Sequence, residues 1–267
     1  MGLPLFPPGD DPGPDFAALI RHSDHYRPRP VVDGNGAMPA VAHGTTVVAL
    51  RFAEGVVMAG DRRATEGNII AHRAMEKVFP ADRHSAVAIA GAAGPAVEMV
   101  KLFQTQLEHY EKVEGVALSL EGKANQLGQM VREHLPMAMQ GLVVVPLFCG
   151  FDLRLGGGRI FTYDVTGGHF EEADFAATGS GGRDARNTIK LGWRGDLGRA
   201  ESIELAVRAL YEAADEDSAT GGPDLVRGIF PVVATVTSQG YDRLADAEVA
   251  QSFTALVQRR SLGGGDS

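Results

Sequence analysis

The chain has 267 residues, of which 44% are hydrophobic and 22% charged, and this composition suits one globular domain with a full core or two small ones. Its formal charge of −9 argues against a general nucleic-acid binder, which normally carries a basic face. No apolar run reaches the roughly 18 residues of a membrane span, and the start Met1-Gly2-Leu3-Pro4 lacks a secretory pattern, which favours a cytoplasmic protein.

Residues 1–44 differ in composition from the rest of the chain, because they hold 8 of its 14 prolines. Proline removes backbone donors and fixes φ, so such a segment resists both helix and sheet. One interpretation is a floppy N-terminal tail, which is common in globular domains. The other is a removable propeptide, 1–44, followed by a catalytic domain, 45–267, because the proline-rich composition stops where the first strand signal starts.

The pattern becomes regular after this segment. Thr46–Phe52 and Val56–Ala59 predict a β-hairpin, and Ser85–Ala90 predicts a strand that is closed by a glycine-rich turn. Pro95 suits the first turn of a helix. A second helix is predicted over Ser119–Met139, with a kink or an end at Pro136. Further strands are predicted at Val143–Phe148, Arg159–Tyr163 and Phe230–Thr237, and further helices at Ala185–Leu191, Ile203–Ala214 and Ala247–Gln258.

The order of these elements indicates the fold class. Strands come in hairpin-sized groups and helices in pairs, which favours an α+β fold of antiparallel sheet covered by helical layers over a doubly wound nucleotide fold. The segment Gly179–Arg183 resembles a phosphate-binding loop superficially but lacks the Lys-Ser/Thr ending of a P-loop. We interpret it as a strand-to-helix turn, with Arg183 and Asp184 in the first helical turn.

The number and spacing of the cysteine and histidine residues limit which disulfide and metal sites the chain can form. Cys149 is the only cysteine, which excludes an intrachain disulfide and a cysteine-cluster zinc site. It lies in an apolar run and is predicted to be a small core residue. The eight histidines are scattered and form no H-E-x-x-H motif, so we expect no catalytic metal and no cofactor.

The bond between Gly44 and Thr45 is a candidate site of self-cleavage, because it lies at the border between the proline-rich segment and the first strand. A cut there would give Thr45 a free α-amine, whose reference pKa of about 7.7–8.0 leaves a useful neutral fraction to act as a base for the hydroxyl. A buried Lys77 would lower the pKa values of both groups, and Asp61 could orient that lysine. The glycine-rich turn that begins at Gly91 offers N–H groups for an oxyanion.

Several dispersed motifs together resemble a known family. The segments Thr45–Leu50, Gly55–Thr65 and Lys77-Val78 look like the catalytic β subunits of the 20S proteasome, which are N-terminal-nucleophile hydrolases. The resemblance runs from Thr45 to about residue 260. It continues through Ala90-Gly91, Glu108–Glu111, Thr178–Gly181 and Asp217–Asp224. The last of these segments, with the proline-rich leader, is most similar to the actinobacterial branch.

The resemblance implies a fold and a role for each matching residue. The fold would be a four-layer αββα sandwich with two antiparallel sheets between helical layers. Thr45 would be the nucleophile, assisted by its own α-amine. The other implied catalytic residues are Lys77, which lowers the pKa at Thr45, Asp61, which orients Lys77, Gly91, which supplies the oxyanion N–H, and Ser180, Asp217 and Thr220, which support the amine.

The sequence departs from the family pattern around Asp217. Many members have Arg before that aspartate and Ser three positions after it, whereas this chain has Glu216 and Thr220. Threonine keeps the hydroxyl, so we expect the hydrogen-bonded support to survive.

The resemblance also implies how a substrate is held. Thr65 and the backbone of Gly91 and Ala93 would pair with the substrate strand. The positions of the primary specificity pocket carry uncharged, apolar side chains: Ala64, Met75, Phe79, Ile89, Ala93 and Val97. Such a pocket favours a large apolar side chain by about 1.5–3 kcal/mol and penalises an unpaired charge. We therefore expect cleavage after large apolar residues, as in a chymotrypsin-like activity.

The family assembles as stacked rings, so the resemblance implies partners. Two rings of seven β copies would lie between two rings of seven α subunits (14 α and 14 β), and an ATPase ring would deliver unfolded polypeptides through the α rings. This chain itself shows no nucleotide-binding motif. We expect no nucleic-acid or membrane partner.

Three alternatives stay open from the sequence. A shorter bacterial two-ring threonine peptidase shares the Thr-Thr start but lacks the long leader and the segment Asp217–Asp224. A structural ring subunit without activity usually lacks the threonine, the lysine or the aspartate, and all three are present here. A small-molecule amidase of the same nucleophile class is the most distant.

Overall fold

The computed structural model describes residues 44–67 and 69–263, so all but the last residue of the predicted propeptide lies outside the described residues. The strands are β1 (Thr46–Phe52), β2 (Gly55–Gly60), β3 (Ala64–Glu66), β4 (Ile69–His72), β5 (Val78–Asp82), β6 (Ser85–Gly91), β7 (Val144–Asp152), β8 (Gly157–Tyr163), β9 (His169–Glu172), β10 (Phe175–Gly179), β11 (Val232–Thr237) and β12 (Gly240–Arg243). The helices are α1 (Ala93–Glu114), α2 (Leu120–Glu133), α3 (Leu135–Ala138), α4 (Gly182–Gly192), α5 (Arg199–Glu216) and α6 (Asp246–Gly263).

Two five-stranded antiparallel sheets form the centre of the molecule. The first sheet has the strand order β10-β1-β2-β11-β12, and the second has the order β5-β6-β7-β8-β9. In the first sheet Thr46 pairs with Gly179, and Val47 pairs with Gly60 on the other side. The start of β1 therefore lies between the end of β10 and the end of β2, which brings three segments of the chain to one place.

Alternation along the strands explains the layers. In β1, Val47 and Ala49 pack between the two sheets, against residues such as Leu147 of β7. Val48 and Leu50 point to the opposite face, where α4, α5 and α6 cover the first sheet. Because successive side chains of a strand point to opposite faces, a stretch that is covered on both sides is continuously apolar, as β1 is from Val47 to Leu50.

Helices α1 and α2 cover the outer face of the second sheet. Phe148 and Phe161 of that sheet pack with Phe103 of α1 and Leu127 of α2, and all four are at most 1% exposed. Burying side chains of this size contributes about 1.5–3 kcal/mol each. The order helix layer, sheet, sheet, helix layer confirms the predicted αββα sandwich.

Most predicted elements are found, often with longer bounds. The first hairpin and the turn from β10 into α4 match the predictions, and Arg183 lies in the first turn of α4. The predicted helix over Ser119–Met139 is two helices, because α2 ends at Glu133 and Pro136 is the second residue of α3. A proline there cannot donate an N–H to the preceding turn. The short strands β3, β4, β5, β9 and β12 were not predicted.

Two further predictions concern the single cysteine and membrane-spanning segments. Cys149 is fully buried between the sheets, and burial raises the pKa of its thiol far above the usual range. This agrees with its interpretation as a core residue. Within residues 44–67 and 69–263, no helix is long and apolar enough to cross a membrane.

Candidate functional site

Thr45 is the residue before β1, and the turn after β10 holds it in place. Its carbonyl oxygen accepts a hydrogen bond from the backbone N–H of Ser180 at 2.8 Å, and the residue is 5% exposed. Gly179 makes this approach possible: its φ is +99°, and a Cβ atom there would lie 1.9 Å from the Thr45 carbonyl oxygen. Only glycine fits both the backbone angle and the space.

The Gly44 carbonyl lies beside two polar side chains. The hydroxyl of Thr45 donates to the Gly44 oxygen at 2.6 Å, and the ammonium of Lys77 donates to the same oxygen at 3.1 Å. A Cβ atom at residue 44 would lie 2.5 Å from the Thr65 hydroxyl oxygen and 2.7 Å from the Ala219 carbonyl oxygen. The chain can therefore pass this point only with glycine at residue 44.

Lys77 is a buried lysine whose ammonium uses all three of its protons. Besides Gly44, it donates to Oδ1 of Asp61 at 2.7 Å and to the carbonyl oxygen of Arg63 at 2.5 Å. Its side chain is 1% exposed and that of Asp61 is 0% exposed. Burial lowers the pKa of Lys77, and the Asp61 carboxylate opposes this effect without cancelling it. An ammonium with three donated bonds has no lone pair, so in this state it polarises a carbonyl and cannot act as a base.

Asp61 follows β2 and connects several segments around Lys77. Its Oδ1 accepts the backbone N–H of Thr46 at 2.8 Å, and its Oδ2 accepts those of Arg63 and Gly221, both at 2.8 Å. A buried carboxylate is tolerated only when it is paired and hydrogen-bonded in this way. Asp61 therefore fixes the lysine, the start of β1 and the loop after α5 relative to one another.

A second carboxylate lies on the other side of Thr45. Asp217 follows the C-terminal end of α5, and its Oδ2 accepts the hydroxyls of Ser180 at 2.5 Å and Thr220 at 2.6 Å. Its Oδ1 accepts the backbone N–H of Ala219 at 3.0 Å. Burial alone would raise the pKa of Asp217, but the hydrogen bonds from Ser180 and Thr220 favour the ionised form and hold the pKa below its ordinary value.

Ser180 links this second group to the candidate nucleophile. The backbone N–H of Thr45 points at the Ser180 hydroxyl oxygen over 3.4 Å. The structure thus brings together all six predicted catalytic residues from five separate parts of the sequence. They are Thr45, Asp61, Lys77, Ser180, Asp217 and Thr220.

Gly91, the predicted source of the oxyanion N–H, is the last residue of β6. Its φ is +110° and a Cβ atom there would lie 2.0 Å from the Val143 carbonyl oxygen. Two residues earlier, the N–H of Ile89 donates to the carbonyl oxygen of Lys77 at 3.0 Å. This bond places the end of β6 beside the segment that carries the lysine.

The predicted pocket residues lie on four elements, β3, β5, β6 and α1, and on the segment before β5. Phe79, Ile89 and Val97 pack in one cluster with the core under α1, and Ala93 lies one helical turn before Val97. Ala64 and Thr65 are buried in β3, while Met75, whose N–H donates to the Arg62 carbonyl oxygen, is half-buried. The partial exposure of Met75, Phe79, Ala93 and Val97 leaves apolar surface beside this cluster.

The structure adds contributors that sequence reasoning missed. The Gly181 N–H donates to the Thr46 hydroxyl, which in turn bonds the hydroxyl of Thr220. The backbone N–H groups of Arg63 and Gly221 complete the contacts of Asp61. Backbone donors and acceptors leave no signal in side-chain identity, and Thr46 reads as an ordinary β-branched strand residue. Within the described residues, no group of three or more His, Cys, Asp or Glu side chains could hold a metal ion.

Comparison with known proteins agrees with the fold. The sequence model of the Proteasome subunit family matches residues 41–226. A proteasome subunit beta of Acidimicrobium ferrooxidans is 65% identical over 259 residues, which cover 97% of this chain and 94% of that protein. The corresponding protein of Streptomyces griseus is 57% identical over 236 residues, covering 86% and 84%. That of Frankia casuarinae is 50% identical over 258 residues, covering 97% and 93%.

The αββα sandwich and the buried threonine, lysine and aspartate define the class, that of the N-terminal-nucleophile hydrolase fold. The matches then define the family: the chain belongs to the proteasome subunit family, among its beta subunits. As such it is a component of the proteasome core and assembles into rings with other subunits.

Proposed function

We propose that this chain is a threonine endopeptidase subunit that is made as a precursor with the propeptide 1–44 and cuts itself between Gly44 and Thr45. The observation that carries the proposal is the Gly44 carbonyl, whose oxygen lies 2.6 Å from the Thr45 hydroxyl and 3.1 Å from the Lys77 ammonium. A nucleophile and a positive charge thus meet at the bond whose cleavage would expose the N-terminal threonine.

Self-cleavage would proceed as an acyl shift followed by hydrolysis. The Thr45 Oγ1 attacks the Gly44 carbonyl carbon, and the Lys77 ammonium stabilises the negative charge that develops on the oxygen. The C–N bond then breaks, and the proton that leaves the hydroxyl ends on the new α-amine of Thr45. Water hydrolyses the resulting ester, which releases the Gly44 carboxylate and restores the hydroxyl.

The cut would convert the same groups into a peptidase site. The departure of Gly44 frees one donor of Lys77 to face the Thr45 hydroxyl, and the new amine remains next to the Ser180 oxygen. A positive charge close to the hydroxyl and the amine lowers their pKa values, which helps the neutral amine to take the hydroxyl proton. Peptide bonds are then cleaved through an acyl-enzyme on Thr45, with the N–H of Gly91 as an oxyanion donor.

The apolar set around Phe79, Ile89 and Val97 supports a preference for large apolar residues before the cleaved bond. An unpaired charge in such surroundings is penalised, whereas an apolar side chain gains from burial. Thr65 and the backbone of Gly91 and Ala93 would pair with the substrate strand. Reporter peptides that end in Leu, Phe or Tyr should therefore be cut faster than those that end in Arg or Glu.

The assembly that we propose follows from the family. Two heptameric rings of this chain lie between two heptameric rings of α subunits, and an ATPase ring delivers unfolded proteins to the enclosed sites in the cytoplasm. The mechanism uses no metal or cofactor, since the base, the nucleophile and the charge all come from the chain.

Intact-protein mass and N-terminal sequencing after co-expression with an α subunit test the proposal. Wild type should lose residues 1–44, whereas Thr45→Ala should keep them, and Thr45→Ser should be processed because it retains a hydroxyl. If wild type stays uncut within assembled rings, the proposal is wrong and the chain is a structural subunit. Full activity in a free monomer would instead favour the amidase alternative.

A further inference from the structure

Thr46, the residue after the candidate nucleophile, bonds Asp61 directly and is linked to Asp217 through Thr220. Its backbone N–H donates to Oδ1 of Asp61, the oxygen that also accepts from Lys77. Its hydroxyl lies 2.6 Å from the hydroxyl of Thr220, and the N–H of Gly181 donates to it at 2.9 Å. The residue is fully buried, so water cannot replace any of these partners.

The direction of the hydroxyl bonds follows from proton counting. A threonine hydroxyl has one proton, and that of Thr220 is donated to the Asp217 carboxylate at 2.6 Å. Thr220 can therefore only accept in its contact with Thr46, which makes Thr46 the donor. Gly181 N–H, Thr46, Thr220 and Asp217 form one chain of hydrogen bonds that runs towards the carboxylate. Bonds in such a chain polarise one another.

The same counting fixes the role of Ser180. Its single proton goes to Asp217 over 2.5 Å, a shorter contact than the 3.2 Å to the Thr45 carbonyl oxygen. The Ser180 oxygen therefore faces the Thr45 nitrogen as an acceptor. Gly181, the next residue, is tied to Thr46, so the turn that carries Ser180 is anchored to the strand that carries Thr45.

We propose that Thr46 is a positioning residue of the peptidase site, whose hydroxyl holds Ser180, through Gly181, and Thr220 in register with Thr45. This inference rests on the proposed function. Thr46 acts through these residues and contacts none of the reacting atoms. In the processed enzyme its hydroxyl keeps the Ser180 oxygen directed at the α-amine of Thr45.

The test uses the assembled enzyme with Thr46→Val, which removes the hydroxyl at nearly constant volume, beside Thr46→Ser, which keeps it. For Thr46→Val we expect kcat on a Leu-ending reporter peptide to fall about 10- to 100-fold, equivalent to about 1.4–2.8 kcal/mol, with KM unchanged. The acid limb of the kcat–pH profile should move to lower pH, because an amine that loses an acceptor for its charged form has a lower pKa. Thr46→Ser should restore both.

Thr235→Val is the matched control, because Thr235 is a buried threonine of the same sheet on β11, beyond β2, and takes no part in these bonds. It should retain the wild-type kcat and pH profile. If Thr46→Val does not form rings, Thr220→Val breaks the same hydroxyl pair from the other side and should shift the acid limb in the same direction.

The outcomes separate the two proposals. Suppose that wild type and Thr235→Val are processed and active. If Thr46→Val then has the same kcat and pH profile, the role of Thr46 is overturned and the proposed function stands. A fall in kcat with an unmoved acid limb, or no restoration by Thr46→Ser, would also overturn the role of Thr46. Loss of processing and activity in wild type itself would overturn the proposed function.

Discussion

The two carboxylates on either side of Thr45 differ in surroundings and in partners. Asp61 is fully buried and shares Lys77 with the Gly44 carbonyl, so it belongs to an ion pair inside the protein. Asp217 is partly exposed and accepts only hydroxyl and amide hydrogens. A buried pair must stay complete, because one charge without the other is strongly penalised. The partly exposed Asp217 carboxylate can lose a hydrogen-bond partner at a modest cost in free energy, since water can replace that partner.

Because of this difference, substitutions at the two carboxylates should affect the stability of the fold and the activity to different extents. Asp61 and Lys77 connect β1, β2 and the loop after α5, so changes there should affect folding and activity together. Asp217 orients two hydroxyls near Thr45, so changes there should affect activity far more than folding.

The largest effect is expected for Asp61→Asn. The substitution leaves the Lys77 ammonium buried without its counter-charge, which should lower the free energy of unfolding by about 3–5 kcal/mol and abolish processing. Urea unfolding of the full-length chain and intact mass after co-expression measure the two results.

The double variant Asp61→Asn with Lys77→Met is the control for this effect. It removes the unpaired charge, so it should recover part of the lost stability while staying unprocessed. Equal destabilisation in the single and double variants would mean that the ion pair is not the cause.

Asp217→Asn should separate activity from stability. Its charge-assisted hydrogen bonds are worth about 1.5–3 kcal/mol to the orientation of the hydroxyls, which corresponds to roughly a 10- to 100-fold fall in kcat. Because the group is partly exposed, the unfolding free energy should fall by only about 0.5–1.5 kcal/mol. A loss of stability as large as that of Asp61→Asn would contradict the contrast between the two sites.

Acid unfolding provides a smaller and more specific readout of Asp217. Its pKa is lower in the folded chain than the ordinary 3.8, so its contribution to stability is present above about pH 4 and is lost as the pH falls through the folded value. The difference in unfolding free energy between wild type and Asp217→Asn should therefore shrink as the pH is lowered from 7 to 3. A difference that stays constant would show that the carboxylate charge does not stabilise the fold.

The smallest effect is expected for Thr220→Ser, which restores the residue that many family members carry. The hydroxyl bonds to Asp217 and Thr46 remain possible, so kcat should stay close to wild type. Loss of one buried methyl group should cost about 1 kcal/mol of unfolding free energy. A large fall in kcat would indicate that the methyl group itself positions the hydroxyl. Peptide kinetics and urea unfolding of the same preparation decide between these results.

The sequence was informative where a single local rule applies. Alternating and continuous apolar runs predicted the hairpin of β1 and β2, and the glycines around Ser180 predicted the turn into α4. Short edge strands such as β9 and β12 were missed because four residues carry too little periodicity. The pocket and the roles of the site residues stay predictions.

The amino-acid sequence by itself determined the layer architecture and the identity of the candidate nucleophile. Thr45 follows a proline-rich segment and precedes a strand that is apolar on both faces, and both features are local. The tertiary structure alone decided that Thr46 bonds both Asp61 and Thr220 and that Lys77 donates all three of its protons. These facts depend on hydrogen bonds between residues 14–174 positions apart, many of them to backbone atoms, and no pattern of side-chain types specifies such partners.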